Sequence, residues 1–335
     1  MSGRALRWMM SLAHRPSQPK VASLIIVRHH RVYGDAENPL YRLGVGERVF
    51  AAQLELLGAV GLAPVTASEG VRWLSSARGG RRVAMTFDDG YRDNVTRALP
   101  MLERHGARAT FYLAAGLIEE RTAPWWDQLA WRLERAEVRQ ASFEIEGRHV
   151  RLELDGPAGR ARAIADLEPL MRVTPDLRQR RLESLRDLLH VRGEAPCELA
   201  TWEEARALSG AGMEIGAHTL THPHLSLLTP ECQHAEIAGS IELIERRLGV
   251  RARGLAYPGG DYDATSIAIA ARLELEHAVT TRRGDNGPDA KRLELRRRAL
   301  SDGACLGPTG AFSRRLTLAE LDGAFDRARG VEAAS

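Results

Sequence analysis

Short apolar runs that alternate with helix-like stretches constrain the fold of this 335-residue chain more than any other feature. Runs rich in apolar or β-branched residues occupy 21–27, 82–86, 109–113, 213–217, 254–257 and 277–281. Helical spacing or helix-start signals follow at 47–60, 93–105, 201–210, 229–248, after Asp263 and at 317–329. Strands separated by helices predict parallel βαβ units. Six or seven such units predict an α/β fold, a distorted (β/α)7-type barrel whose ligands lie at the carboxyl ends of the strands.

Two of these helices carry explicit start signals. Thr201, with Glu204 three positions later, forms a capping-box pattern. Thr229 before Pro230 combines a good N-cap with a proline whose missing N–H costs nothing in the first turn. We therefore expect helices to begin directly after both threonines.

The alternation breaks between about residue 119 and residue 198. This segment holds a helical stretch at 125–134, a hairpin pattern around residues 146–147 and two charged amphipathic stretches before His190. We interpret it as a mainly helical insertion in one domain that spans 21–335. Residues 1–20 are predicted to form a disordered or amphipathic lead.

Composition argues against several classes of protein. With 44% hydrophobic residues the chain can bury a large core. Its net charge is +3, and its basic residues are scattered along the chain among acidic ones. Because no basic block is present, nucleic acid is not an expected partner. Cys197, Cys232 and Cys305 are an odd number without a CxxC pair, which is typical of free thiols in a reducing compartment.

No apolar run reaches the roughly 18 residues that a membrane-spanning helix needs. The apolar piece at 8–13 is too short for a signal peptide. We therefore expect a cytoplasmic protein, with loose peripheral contact to a membrane surface as an open alternative. The sequence indicates no particular oligomeric state.

Two polar motifs directly follow predicted strands. The first reads MTFDDG and contains Asp88 and Asp89, and the second reads GAHTLTHPH and contains His218 and His222. Because both motifs lie at strand ends, their side chains can meet at one rim of the barrel. Two imidazoles and a carboxylate are the ligands of a catalytic divalent metal that keeps open positions. Either motif alone is commonly a turn or a helix face, but together they predict a metal site.

TFDDG and HTLTHP resemble the first two motifs of the polysaccharide deacetylases, the carbohydrate esterase family 4 or NodB-homology group. The resemblance covers most of the chain outside the insertion, and it implies a distorted (β/α) barrel that removes N- or O-acetyl groups from sugars with a metal. It also implies that Asp88 is the general base and that Asp89, His218 and His222 bind the metal. Zinc is the expected ion, although such a site also accepts cobalt, nickel or iron.

A third motif departs from the family pattern. Many members carry an arginine in an RxPYG-like sequence, whereas LAYPGG has Ala256 at that position, so the usual support for the base is absent. A late Leu-x-x-His motif with a general-acid histidine is also missing, and His277 is expected to be a packed residue. HHRV after the first strand is similar to the YHRV segment of the exopolysaccharide subgroup, which includes poly-N-acetylglucosamine deacetylases. That similarity implies that His30 is the general acid, the alternative being a histidine that only hydrogen-bonds its loop.

Several further residues are candidates for substrate contact. Gly259 has a backbone N–H that Pro258 lacks, and it is therefore a candidate oxyanion donor. Tyr257 and Pro258 of the third motif are candidate substrate-binding residues. Trp125 could stack on a sugar ring, although a core anchor at a helix start is an equal alternative.

Some conspicuous polar residues favour a simpler interpretation. The run Arg296, Arg297 and Arg298 could meet an acidic glycan or a lipid phosphate, but short basic runs are most often a solvated face. His224 and His234 are expected at the surface.

The motifs and the resemblance together predict a metal-dependent hydrolase that removes the N-acetyl group of an amino sugar. Its partner would be an N-acetylated carbohydrate, in a polysaccharide or a glycoconjugate precursor, as in exopolysaccharide biosynthesis. One alternative is a metal-dependent amidase that acts on a small amide. A second is a catalytically weakened carbohydrate-binding protein, against which the intact pair Asp88 and Asp89 argues.

Overall fold

The computed structural model describes residues 3–14, 21–37, 39–145 and 147–326. The strands are β1 (Ser23–His29), β2 (Arg31–Tyr33), β3 (Gly44–Gly46), β4 (Arg81–Phe87), β5 (Ala109–Leu113), β6 (Gln140–Ile145), β7 (Arg148–Glu153), β8 (Glu214–Ala217), β9 (Gly254–Ala256), β10 (His277–Val279) and β11 (Arg298–Ala299). The α-helices are α1 (Gly3–Leu12), α2 (Glu47–Ala59), α3 (Ala67–Leu74), α4 (Leu99–Arg104), α5 (Ala115–Glu119), α6 (Trp125–Glu134), α7 (Gly156–Leu167), α8 (Pro175–Leu188), α9 (Trp202–Gly210), α10 (Pro230–Leu248), α11 (Ala264–Arg272), α12 (Asp302–Cys305) and α13 (Arg314–Leu321).

A parallel sheet of seven strands forms the centre, in the order β10-β9-β8-β5-β4-β1-β11. It curls into a half-barrel surrounded by helices. The chain before β11 approaches the opposite edge of the sheet, where Leu295 forms a parallel bridge with Val279. The predicted (β/α) architecture is confirmed.

Alternation along the strands decides which side chains face the inside of the curl. In β1, Ile25 and Val27 pack into the main core beneath the helices, whereas Leu24 and Ile26 belong to a second apolar cluster inside the curled sheet. Successive side chains of a strand point to opposite faces. Arg28 therefore takes the next inward position, close to the carboxyl end of β1.

Chemistry-bearing residues leave the sheet at one rim. His30 follows β1, Asp88 and Asp89 follow β4, and His218 follows β8. The peptide N–H of Asp88 donates to the carbonyl of His29, and that of His218 donates to the carbonyl of Leu113, so each turn is tied to the neighbouring strand. Because all of these strands run parallel, their carboxyl ends meet at the same side of the sheet.

The segment 119–198 has an apolar cluster of its own. It contains α6, the antiparallel hairpin of β6 and β7, and then α7 and α8, so the predicted hairpin around Gly147 is present. Leu129, Phe143, Leu152, Leu167 and Leu185 form the middle of this cluster. The segment therefore packs as a small α+β unit on one side of the rim.

The predicted helix starts fit the structure with one exception. Thr201 caps α9 in a capping box with Glu204, and Thr229 caps α10 with Pro230 in its first turn. A helix start at Thr317 was wrong, because α13 begins at Arg314 and the Ser313 hydroxyl accepts from the N–H of Leu316. Serine at position 313 offers the chain an earlier cap than threonine at 317.

The lead at 1–20 contains a helix rather than disorder alone. Residues 3–12 form α1, and the Arg7 guanidinium donates to Glu320 Oε1 at 2.9 Å and to the Gly303 carbonyl at 2.8 Å. His14 Nε2 lies 2.6 Å from Asp322 Oδ2. These contacts supply the tertiary partners that a ten-residue helix lacks on its own; the rest of the predicted lead, 1–2 and 15–20, lies outside the described residues. None of the helices in the described ranges combines the length and apolarity needed to cross a bilayer.

Candidate active site

Asp89, His218 and His222 form a compact cluster at the rim. One ligand atom from each lies within 4.8 Å of the others, and His218 Nε2 and His222 Nε2 are 3.4 Å and 3.7 Å from Asp89 Oδ1. All three side chains are enclosed by protein. The structure thus brings together the three residues that the sequence motifs singled out.

Hydrogen bonding around the cluster fits a cation. The Nδ1–H of His218 donates to the carbonyl of Ala256 at 2.7 Å, which leaves the Nε2 lone pair directed to Asp89. Both carboxylate oxygens of Asp89 are buried without a hydrogen-bond partner among the described residues. Buried carboxylate oxygens without partners are costly unless an ion meets them. One carboxylate and two imidazoles of this kind suit zinc or a similar divalent ion.

The backbone at the cluster is held in an uncommon conformation. Asp89, Thr219 and His222 have positive φ angles of 74°, 62° and 55°. Glu236 of α10 fixes the loop between the histidines, since its carboxylate accepts from the N–H groups of Leu220 and Thr221, both at 2.9 Å. Left-handed conformations of such residues occur where the surroundings over-determine them, often at functional sites.

His222 is held by an aromatic neighbour from the 119–198 segment. The ring of Trp126 contacts it edge-on with centroids 4.4 Å apart, and Trp126 Nε1 donates to the Tyr91 hydroxyl at 2.7 Å. Burial and the nearby His218 lower the pKa of His222 to about 3. The imidazole is therefore neutral, the form that binds metals.

Asp88 is paired with an arginine from the other end of the chain. Arg297 Nη1 and Nη2 donate to Asp88 Oδ1 and Oδ2, both at 2.7 Å, and each side chain is only a few per cent exposed. Burial opposes ionisation of Asp88, but the charge and hydrogen bonds of Arg297, together with His218 and His30, outweigh it and hold the pKa of that carboxyl well below its usual range. The site therefore has an arginine next to this carboxylate although the third motif lacks one.

The expectation of a solvated arginine run was wrong for two of its three members. Arg297 is 2% exposed and Arg298 is 3% exposed. Arg298 binds Asp285 and Asp326. Arg297 also donates to the Thr280 carbonyl and the Thr86 hydroxyl, so its whole donor fork is used inside the curled sheet. Burial with this many partners explains why an apparently surface-like run lies in the interior.

His30 lies beside this pair. Its Nε2 is 3.8 Å from Asp88 Oδ2, and its side chain is 20% exposed to solvent. Asn94 donates to the His30 carbonyl at 2.7 Å and fixes the loop after β1. Burial lowers the pKa of His30, against the attraction of Asp89 and Asp88. The histidine thus faces the same space as Asp88.

A cavity of about 400 Å³ opens over these residues. Its floor includes Arg28, His30, Asp88 and the candidate metal cluster, and its wall includes Trp125, Glu168 and Arg172 from the 119–198 segment. The volume suits one or two sugar rings. The site is therefore built from the sheet rim on one side and the inserted segment on the other.

Of the three candidate substrate residues in the third motif, Gly259 and Tyr257 line the cavity and Pro258 is buried. Gly259 has a φ of 61° and lines the cavity. Tyr257 also lines it, but its hydroxyl donates to the Leu293 carbonyl at 3.0 Å and its ring stacks on Tyr262. Pro258 is buried and is not among the described residues that line the cavity. Gly259 is therefore better placed than Pro258 to contact a molecule bound in the cavity.

Trp125 lines the cavity and also anchors its wall. Its ring lies in edge-to-face contact with Trp126, and the Arg178 guanidinium sits 5.1 Å from its centroid. Both roles expected of this tryptophan are therefore compatible with its position.

Sequence reasoning missed residues that the fold brings to the site. Arg297 had only the basic run as a signal, and its pairing with Asp88 spans 209 positions. His224 was expected at the surface but is half-buried at the cavity, where burial lowers its pKa to about 4. Its place in GAHTLTHPH, two residues after a candidate ligand, was the available signal. His234 is exposed and His277 is fully buried beside Tyr112, as expected.

Comparison with known proteins identifies the family. The sequence model described as "Polysaccharide deacetylase" matches residues 75–278, more than half of the chain. A Bacillus subtilis (strain 168) protein named "Putative polysaccharide deacetylase YxkH" is 21% identical over 295 residues, covering 88% of this chain and 77% of that protein. Chitin deacetylase 1 of Cryptococcus neoformans is 37% identical over 71 residues, 21% of this chain and 15% of that enzyme.

Solved structures share the fold. The Streptococcus pyogenes deacetylase PplD in complex with acetate superposes with a TM-score of 0.59 at 21% identity, covering 87% of this chain and 96% of that one. IcaB from Ammonifex degensii superposes with a TM-score of 0.55 at 20% identity, covering 89% and 97%. At such identities the likeness concerns the fold alone. The family model, which matches more than half of the chain, shows that this chain belongs to the polysaccharide deacetylase family.

Proposed function

We propose that this chain is a metal-dependent deacetylase that hydrolyses the N-acetyl group of an amino sugar. The observation that carries the proposal is the cluster of Asp89, His218 and His222 beside the ion pair of Asp88 and Arg297, at the floor of a sugar-sized cavity. The substrate is proposed to be a polysaccharide or a glycoconjugate precursor, as in exopolysaccharide biosynthesis. The HHRV segment and the absence of an arginine in LAYPGG support that subgroup.

The proposed metal ligands are Asp89, His218 and His222, with zinc as the expected ion and cobalt, nickel or iron as substitutes. Bound there, a divalent ion would polarise the amide carbonyl and make water more acidic. The protein's own part is to hold neutral imidazoles and one carboxylate in place, through the Ala256 carbonyl and the Trp126 ring.

Asp88 and His30 are the proposed acid–base pair. Asp88 is kept ionised by Arg297, so it can accept a proton from the attacking water. His30 lies at the cavity within 3.8 Å of Asp88 and is proposed to protonate the leaving amine. Gly259 is proposed to donate its N–H to the developing oxyanion, because it lines the cavity next to a residue without an N–H.

A variant series with two readouts tests these roles. Metal content and acetate release from N-acetylglucosamine oligomers are measured together. Asp88→Asn and His30→Gln should keep the metal and lose about 100-fold or more of the turnover, the size expected for acid–base groups. Asp89→Asn and His218→Ala should lose metal, and the exposed His234→Gln is the matched control that should change neither.

Three outcomes would contradict the proposal. Equal metal loss in Asp88→Asn and Asp89→Asn would overturn the division of roles. Sugar binding by the metal-loaded protein without acetate release from any sugar would favour the carbohydrate-binding alternative. Turnover of small amides but not of N-acetylated sugars would favour the amidase.

Location is a separate part of the proposal. Cys197, Cys232 and Cys305 are free thiols, which supports a reducing compartment. Peripheral contact with a membrane stays a prediction. Retained cysteine reactivity toward a thiol reagent in protein from intact cells would support the cytoplasm, and oxidised cysteines would argue against it.

A further inference from the structure

Arg28 is a cation at the floor of the cavity with no assigned role. It occupies an inward position of β1, opposite Thr86 of β4 and Ala299 of β11. It lines the cavity two residues before His30. Its guanidinium is thus placed among the groups proposed to act on the substrate.

Nothing in the described part of the chain pairs with this guanidinium. Arg28 makes no side-chain hydrogen bond or salt bridge with residues 3–14, 21–37, 39–145 or 147–326, whereas Arg297 beside it uses both terminal nitrogens on Asp88. Asp88 is therefore occupied, and Asp89 belongs to the candidate metal cluster. Burial and the like charge of Arg297 lower the pKa of Arg28, yet arginine stays protonated in proteins. Arg28 is half-buried and its N–H donors have no acceptor among the described residues, so an anion that enters the cavity would stabilise its charge.

One more arginine lies on the opposite wall of the cavity, and a second lies behind that wall against Trp125. Arg172 lines it and pairs with Asp261. Arg178 is 4% exposed, lies over the Trp125 ring and has a buried Nη1 without a hydrogen-bond partner in the described residues. Glu168 is an acid at the same wall, but it is exposed at the mouth and accepts from the Tyr41 hydroxyl. Arg172 is thus paired with Asp261, and Arg297 is paired with Asp88. Among the described cations that line the cavity, Arg28 is the one left without a protein partner.

We propose that Arg28 is an anion-binding residue that selects N-acetylated sugars carrying a phosphate or carboxylate group next to the scissile acetamide. The inference rests on the proposed deacetylase function and names the substrate class of that site. A guanidinium binds either oxyanion through two parallel N–H donors, which a neutral glycan cannot satisfy. A neutral oligomer offers Arg28 hydroxyl and carbonyl acceptors but no counter-charge, so an anionic substrate is favoured over it.

Steady-state acetate release tests the proposal on three substrates. These are a neutral N-acetylglucosamine oligomer, N-acetylglucosamine phosphate and a carboxylate-bearing N-acetylmuramic acid. Arg28→Gln should raise KM on an anionic substrate about tenfold or more relative to its effect on the neutral oligomer, equal to about 1.4 kcal/mol. Arg28→Lys should recover part of the loss, and the two anionic substrates distinguish phosphate from carboxylate. The exposed Arg180→Gln removes the same charge from α8 outside the cavity and should have no effect.

A binding measurement separates this proposal from the proposed function. Calorimetry on the metal-loaded His30→Gln protein, which keeps the Asp88–Arg297 pair, should show N-acetylglucosamine phosphate or N-acetylmuramic acid binding at least tenfold tighter than N-acetylglucosamine. The difference should vanish in the His30→Gln, Arg28→Gln double variant. If that difference is present while wild type releases no acetate from any sugar, the anion subsite stands and the deacetylase function fails. Equal affinity for neutral and anionic sugars, or an equal loss on all substrates in Arg28→Gln, overturns the subsite.

Discussion

At the scale of single residues, Arg297 determines the state of Asp88. Two donors at 2.7 Å fix the plane of the carboxylate, and the pair is enclosed where neither charge could be left alone. Removing one partner from a buried pair is more damaging than replacing both. Arg297 is therefore a positioning residue for the proposed base, and it lies directly before β11, outside the catalytic motifs.

Arg297→Gln should lower the free energy of unfolding by about 3–5 kcal/mol, since Asp88 would be buried without its counter-charge. The same change should raise the pKa of Asp88 and move the acid limb of the kcat profile to higher pH. Denaturant unfolding and a pH–rate profile measure the two effects, with the exposed Arg162→Gln as control. An unchanged profile in a folded variant would show that Arg297 has only a structural role.

Asp127 makes stability depend on pH. Burial raises the pKa of Asp127 to about 7, against the hydrogen bond from Tyr91 at 2.8 Å and the charge of Arg31. The folded state therefore binds this proton more tightly than the unfolded chain. The stabilisation is complete below the unfolded pKa of 3.8 and is lost as pH rises toward 7.

Wild type should accordingly lose about 2 kcal/mol relative to Asp127→Asn between pH 4 and pH 8, since the carboxyl is partly screened by solvent. Denaturant midpoints at four pH values in that range measure the difference. A constant gap between the two proteins would mean that Asp127 titrates normally. Asp166→Asn, on the exposed side of α7, serves as the charge-matched control.

At the scale of elements, the 119–198 segment controls the cavity wall. Its apolar cluster is separate from the main core, and its contacts with the rim run through polar and aromatic groups such as the Arg172–Asp261 pair and Trp126 against His222. A wall that packs independently can shift without unfolding the sheet. Changes inside the segment should therefore affect substrate binding more than metal binding.

Leu185→Ala tests this separation, because Leu185 is fully buried in the segment's own cluster. We expect a loss of about 2–5 kcal/mol in the stability of the segment. Hydrogen exchange should increase across α6–α8 while β1, β4 and β8 stay protected, and KM should rise with metal content unchanged. Exchange that increases equally over the sheet would contradict an independent segment. The exposed Leu227→Ala provides the control.

At the scale of the whole molecule, sequence patterns predicted the features that depend on residues close together in the chain. The apolar runs correctly predicted the sheet strands that precede the two motifs. The predicted helix caps at Thr201 and Thr229 agree with the structure because a cap depends only on neighbours within one turn. The convergence of Asp89, His218 and His222 followed from parallel topology. By contrast, β11 has two residues and no readable pattern, α3 was not predicted, and the pairing of Arg297 with Asp88 depends on contacts between distant parts of the chain.

The distance between Asp88 and Arg297 along the chain also matters during synthesis. A ribosome adds about 5–20 residues per second, so at least about 10 s separate the synthesis of the two residues, which are 209 positions apart. Until then β1 lacks β11 as its edge neighbour, and Asp88 lacks the cation that allows it to be buried. The nascent chain therefore cannot complete its proposed catalytic base before nearly all of the protein has emerged. Shortened chains that end before residue 297 should accumulate as inactive, protease-sensitive products.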